Sequence, residues 1–250
     1  MLRHRWLPPF ALVAVLLVAG CSAGGGFGAN TKTMTADATV TEAVTSVEVT
    51  DAASGSIRVS PGSGQGVGVH RTVHYRDEVP PRPSQRVSGG VLTFDRGCEN
   101  CYIDYELTVP ASAGVTLGSA SGDVDVRGVA SADVRTASGR VTAESIAGGF
   151  SARTSSGDIT GGGLGGGLGG GEVRVDTQSG ATELRFVAAP GSVTARAVSG
   201  DVRVTVPAGR YRVEAATKSG QRQVDVPSDP ASGARIAVES LSGNVTVSAR

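Results

Sequence analysis

The sequence is poor in the side chains that fill a conventional core or run conventional chemistry. It has 5 Phe, 4 Tyr and 1 Trp in 250 residues, 4% aromatic. That is too few for a thick layered interior, and a sugar cleft walled by stacked rings is hard to assemble from it. There are only 3 histidines and 3 cysteines. No G-x-S-x-G elbow and no Gly-Lys-Ser/Thr phosphate loop occurs, so a hydrolase triad and a P-loop nucleotide site are not expected. The formal net charge is +0 and no basic run appears, which argues against nucleic acid as a partner. Beyond the N-terminal leader no stretch sustains a 3.6-residue apolar period, so no amphipathic helix is expected.

The one long apolar run, "FALVAVLLVAG" at 10–20, follows Arg3, His4 and Arg5 and ends at Cys21. It is short for a membrane span and has the layout of a secretory signal. Its end, "LVAGC", resembles the bacterial lipobox, whose cysteine is lipidated and becomes the first residue of the mature chain. Residues 1–20 are therefore expected to be a lipoprotein signal peptide and Cys21 the lipidation site. Two or more acyl chains suffice for stable anchoring, which would hold the protein on the outer face of the cell membrane. Residues 21–38, small, polar and Gly-rich, read as a flexible tether. Loss of residues 1–20 removes Arg3 and Arg5 and leaves 21 Lys+Arg against 23 Asp+Glu, a net charge of −2.

What the sequence has in abundance is glycine, 37 residues, and much of it is periodic. "SASGDVDVRG", "TASGRVTAES", "TSSGDITGGG", "AVSGDVRVTV", "TKSGQRQVDV" and "SLSGNVTVSA" repeat one phrase. Its glycines are Gly122, Gly139, Gly157, Gly180, Gly200, Gly220 and Gly243, at steps of 17, 18, 23, 20, 20 and 23 residues. Self-similarity at this period is the mark of a solenoid. After each glycine the apolar residues alternate, as in Val202, Val204 and Val206 or Val245 and Val247, which predicts strands with one face inward. Ser-Gly reads as the corner, glycine supplying positive φ and serine bonding nearby backbone. Each strand is expected to pair with its equivalent in the next coil.

Residues 111–250 are thus expected to form a β-solenoid, and residues 39–110, bulkier and irregular, a β cap packed on its first coils. A cap is needed because an open terminal coil exposes strand edges. At the far end the chain stops in "NVTVSAR", where Arg250 is the expected guard. "GGGLGGGLGGG" at 161–171 matches a dinucleotide fingerprint formally, but a strand pattern rather than a helix follows it. It reads as a low-complexity expansion of one corner.

Taken together, "LVAGC", "CENCYIDYELTVP" and the reiterated "SGDV" strands resemble a bacterial family of adhesin-type β-strand-repeat domains of unknown function, the toastrack domains. Many members are lipoproteins of high-GC Gram-positive bacteria. The resemblance covers roughly residues 40–250. It implies an all-β, β-helix-like single domain, an envelope location and an adhesion or envelope-sensing role, with no catalytic residues to carry over.

Three constellations bear on chemistry. Cys98 and Cys101 in "GCENCY" favour a local disulfide outside the cytoplasm; the redox alternative would need a helix where "YIDYELTV" alternates as a strand. With His70 and His74 they imitate a zinc ligand list, yet four strand residues span about 13 Å and ligands sit only about 2 Å from zinc. Asp123, Asp158 and Asp201 share one edge if the coils align, and read as solvated turn residues before they read as catalytic or calcium-binding carboxylates.

The expectation is a lipid-anchored, non-enzymatic adhesion, interaction or envelope-sensing module. It would have no cofactor, and its partner would be an envelope protein or wall polymer. The alternatives are a glycan-active β-helix enzyme and a redox or metal-handling lipoprotein centred on the C-x-x-C pair.

Overall fold

The computed structural model describes residues 31–165 and 171–250. The expected signal peptide at 1–20 and the expected lipidation site Cys21 lie outside the described residues. Every regular element among the described residues is a strand. The first seven are β1 (Lys32–Val40), β2 (Ser46–Val49), β3 (Ile57–Gly62), β4 (Val67–Tyr75), β5 (Ser84–Ser88), β6 (Val91–Asp95) and β7 (Cys101–Pro110). The repeat then supplies β8 (Gly114–Ser119), β9 (Val124–Arg127), β10 (Ser131–Thr136), β11 (Val141–Glu144), β12 (Phe150–Ser156), β13 (Ile159–Leu164) and β14 (Glu172–Ser179). It ends with β15 (Thr182–Phe186), β16 (Ser192–Ser199), β17 (Val202–Val206), β18 (Arg212–Ser219), β19 (Arg222–Asp225), β20 (Arg235–Ser242) and β21 (Val245–Ala249).

Two sheets face each other. One has 11 strands in the order β1-β4-β7-β3-β9-β11-β13-β15-β17-β21-β19, the other 10 in the order β18-β20-β16-β14-β12-β10-β8-β2-β6-β5. The chain lays one strand in the second sheet, turns at Ser-Gly, and lays the next in the first. Each such pair is a rung, and equivalent strands of neighbouring rungs pair in parallel. Alternation then places Val124, Val141, Ile159, Thr182, Val202 and Val245 in one inward column, all 0–1% exposed. Burying each valine stabilises by roughly 1.5–3 kcal/mol, so a thin interior repeated many times replaces the thick core that the aromatics could not build. The all-β solenoid expectation stands.

Thr182 is the one hydroxyl in that column, and its Oγ1 is buried without a partner. An unmet buried hydroxyl costs about 1–3 kcal/mol. Thr182→Val should therefore raise stability by about 1 kcal/mol, read as a higher denaturant midpoint at unchanged m-value.

The rungs do not stack in chain order, contrary to expectation. At the start, β6–β7 lies outside β2–β3, and β8–β9 pairs directly with β2–β3. At the finish, β20–β21 is inserted between β16–β17 and β18–β19. Hydrophobic sorting accounts for the second transposition. The inserted rung brings Ile236, Val238, Val245 and Val247 inward, 0–2% exposed. The displaced rung would have brought Arg222, which pairs with Val245 in the same column, and burying an unpaired guanidinium costs several kcal/mol. Arg250 therefore guards no edge: β21 is interior, and the edge strands at this end are β18 and β19.

Three more expectations need correction. Residues 32–38 are not tether but part of β1, which runs antiparallel to β4 over its full length. Residues 39–110 are not all cap, since β2–β3 is a regular rung turning at Ser54-Gly55; the antiparallel additions are β1, β4 and β5. The described part of the glycine expansion is not all corner, because residues 161–164 belong to β13, where Leu164 is fully buried and pairs with Phe186 after a register shift.

The N-terminal end is closed around Arg71, 2% exposed. Its Nη2 donates to Gln85 Oε1 and the guanidinium lies 5.4 Å from the Phe94 ring centroid. Burial lowers its pKa, and burial pushes the Tyr105 phenol opposite it up to about 12.

Candidate functional site

The phrase that dominates the sequence builds one edge of the solenoid. A Cβ placed on Gly139 would lie 2.0 Å from the Gly122 carbonyl oxygen; on Gly157, 2.3 Å from that of Gly139; on Gly200, 2.0 Å from that of Gly180. The column continues through Gly180, Gly243 and Gly220, and begins at Gly55, whose carbonyl lies 2.0 Å from a Cβ on Gly122. Positive φ, expected at every corner, occurs at Gly180, Gly200, Gly220 and Gly243. Close approach of backbone to backbone is what all of them share.

The bonding hydroxyl is also not that of the Ser-Gly pair. The hydroxyl that ties the corner sits three residues before the glycine, where the phrase reads Ser or Thr in six of seven repeats. Ser119 Oγ accepts from the Gly122 N–H at 2.9 Å and Thr136 Oγ1 from the Gly139 N–H at 3.0 Å. Ser240 Oγ donates to the Gly200 carbonyl at 3.0 Å and Thr217 Oγ1 to that of Gly243 at 2.8 Å.

Asp123, Asp158 and Asp201 do line one edge, but their carboxylates are engaged. Asp123 Oδ1 accepts the Arg140 N–H at 2.8 Å, Asp158 Oδ1 the Ala181 N–H at 2.8 Å, and Asp201 Oδ1 the Asn244 N–H at 2.7 Å. Each caps a backbone donor on the next rung, a charge-assisted bond that pins one coil to another. Asp158→Ala should cost about 1 kcal/mol, measured by chemical denaturation. Calcium or chelator should not change the wild-type midpoint; a shift with calcium would show that the corner carboxylates act as ligands instead.

Cys98 and Cys101 occupy the corner of the outermost rung, β6–β7, where the others have Ser-Gly. Their sulfurs lie at disulfide distance, with Cα atoms 5.9 Å apart. Arg96 anchors this corner, its Nε donating to Asp51 Oδ2 at 2.8 Å and its Nη1 to the Cys101 carbonyl at 3.1 Å. His70 and His74 are on extended β4, and each faces a carboxylate: His70 Nδ1 meets Asp37 Oδ1, and His74 Nε2 meets Asp104 Oδ2 at 2.9 Å. His74 also stacks on Tyr102, ring centroids 4.4 Å apart. His74 and Cys101 border one pocket, but the two histidines and two cysteines are not gathered into one ligand set. Among the described residues no group of three or more His, Cys, Asp or Glu side chains is placed to hold a metal ion.

The side chains that the stack does not consume face outward. On the 10-stranded sheet, in-register positions place Arg135, Arg153, Asp176, Arg196 and Glu239 in one row across successive strands. Asp176 Oδ2 accepts from Arg153 at 3.3 Å and from Arg174 at 3.1 Å. Next to this row, Val198 and Leu241 are 50% and 37% exposed. With Gln178 they border a shallow groove of about 440 Å³. The other sheet carries Arg58–Glu106, Asp125–Arg127–Glu144 and Glu183–Arg185, and the Arg127 guanidinium is held above its usual range by the Asp125 hydrogen bond. Strand parity signals these rows in the sequence, though their order across the sheet needs the rung order.

The model of the Toastrack DUF4097 family matches residues 28–248. The chain belongs to this family. Three solved structures are similar to the Toastrack chain at low identity. A putative adhesin from Bacteroides fragilis is 15% identical, with 88% of this chain and 97% of that one covered and a TM-score of 0.48. A putative adhesin from Parabacteroides distasonis is 12% identical, with 88% and 97% covered and a TM-score of 0.45. A putative cell adhesion protein from Clostridium sporogenes is 11% identical, with 88% and 100% covered and a TM-score of 0.42. No curated protein matches the chain.

Proposed function

We propose that this protein is a non-enzymatic adhesion, interaction or envelope-sensing module, held by lipid on Cys21 to the outer face of the cell membrane. One observation carries the reading. The corner carboxylates of Asp123, Asp158 and Asp201 and the corner hydroxyls of Ser119, Thr217 and Ser240 are spent on holding rung to rung, which leaves two broad outer faces of mixed charge. Such faces make many weak, salt-sensitive contacts with a partner protein or wall polymer rather than enclosing a small molecule. The adhesion names borne by proteins of similar chain course agree with this reading.

A photo-crosslinker placed at Arg153 or Arg196 in intact cells should capture one recurrent envelope component, and one placed at Val79, exposed between β4 and β5, should capture much less. Cys21→Ala should release the protein into the medium. Cleavage of envelope glycans by the purified domain, abolished by Asp123→Ala or Asp201→Ala, would overturn the reading in favour of an enzyme. Free reactive thiols at Cys98 and Cys101, or bound zinc, would favour a redox or metal-handling role.

A further inference from the structure

The two ends of the solenoid are finished differently. At the N-terminal end β1, β4 and β5 run antiparallel across the last rungs and the interior is closed over Arg71. At the C-terminal end, among the described residues, nothing of the kind is added: β18 and β19 keep the parallel geometry of the repeat and have a neighbour on one side only. The 226–234 loop covers only the first step of that edge. Pro227 accepts the Tyr211 N–H at 3.3 Å and the Asp229 N–H donates to the Tyr211 carbonyl at 2.9 Å. Beyond it the inward side chains Val213, Ala215 and Val224 are only partly buried, as they are on a rung waiting for a neighbour.

One residue of this end breaks the pattern. Arg222 occupies the column that reads Val124, Val141, Ile159, Thr182, Val202 and Val245 on the rungs behind it. It is exposed, and among the described residues no carboxylate lies within ion-pairing distance of it; Glu214 of β18 is paired instead with Arg235 of β20. An added rung with an apolar residue at this column would bury the guanidinium unpaired, which is unfavourable. A segment with Asp or Glu at this column would satisfy both the backbone edge and the cation.

We propose that the open end formed by β18 and β19 is a strand-addition site, and that Arg222 selects a partner β-segment carrying a carboxylate opposite it. Main-chain pairing supplies the affinity of such contacts and the facing side chains supply the choice, with Arg222 rejecting apolar and basic strands as well as accepting acidic ones. This deepens the interaction reading above and rests on it, naming the end of the stack as a contact point and an acidic β-segment as the partner.

The test uses the full chain and three labelled 15-residue peptides. One has the sequence of residues 235–249, the rung that already pairs with β18 and β19 from inside; the other two carry Val245→Glu or Val245→Lys. By fluorescence anisotropy the Val245→Glu peptide should bind at least tenfold more tightly than the native one, and the Val245→Lys peptide not measurably. Arg222→Glu, at an exposed position, should leave the thermal midpoint in place and reverse the order of the two charged peptides. Equal binding of all three, binding of none, or a preference unchanged by Arg222→Glu would overturn the proposal. Concentration-dependent dimers of the wild-type chain that Arg222→Glu abolishes would overturn the choice of partner. Peptide selectivity is read on purified protein, so it can hold even if capture in cells fails, and can fail even if capture succeeds.

Discussion

Gly139→Ala is expected to cost about 4 kcal/mol or more, the range reserved for diagnostic substitutions, although it adds a single methyl group. That methyl would sit 2.0 Å from the Gly122 carbonyl oxygen. No side chain can swing away to relieve the contact, so two rungs must shear or separate. The position lacks positive φ, so the whole effect comes from the approach of one backbone to another and none from torsional preference. Gly233→Ala is the control: nothing lies within 4 Å of a Cβ there, and its stability should stay within about 0.5 kcal/mol of wild type. Comparable denaturation midpoints for the two variants would mean that the corner glycines are not stacked.

The second large effect lies at the end of the chain. Val247 is three residues from Arg250, yet it is 0% exposed and sits between Val204 and Val224. Val247→Asp should cost on the order of 5 kcal/mol, the price of an unpaired carboxylate in an apolar column. Val224→Asp, on the outermost rung and only partly buried, should cost about 1 kcal/mol, because water reaches it. Had the rungs stacked in chain order the ranking would be reversed, with β21 at the edge and β19 inside. Because each rung contacts only its neighbours, hydrogen exchange should show Val247→Asp releasing 212–225 and 235–249 together while β8–β13 keep their protection.

These two effects also mark how far the sequence could be read. The period of Ser-Gly and the valine alternation were enough for strands, corners and a stack, because both are local consequences of chain geometry. The regular rung at β2–β3 was missed although Ser54-Gly55 is written in the sequence, because β4 and β5 interrupt the spacing before the next repeat. Rung order was not legible at all. Neighbouring rungs are nearly interchangeable as patterns, and only the comparison of Arg222 with Val245 at one column hints at which lies outside. The carboxylates of Asp123, Asp158 and Asp201 could be placed on a common edge, but their bonds to the next rung's backbone depend on a turn geometry that a single coil does not show. The ladder of Arg135, Arg153, Asp176, Arg196 and Glu239 likewise exists only across strands.

The account rests on rungs paired in a stated order, and paired cysteines test that order most directly. In a Cys21→Ser background, Arg196→Cys combined with Glu239→Cys places two outward thiols on adjacent, in-register strands. Arg196→Cys combined with Ala216→Cys places them two strands apart, about 9.6 Å by the strand spacing and beyond a disulfide. Mild oxidation should link the first pair nearly completely and leave the second free. Linkage of the Arg196–Ala216 pair, with the Arg196–Glu239 pair unlinked, would contradict the order of the stack and with it the buried last strand and the open end at β18 and β19.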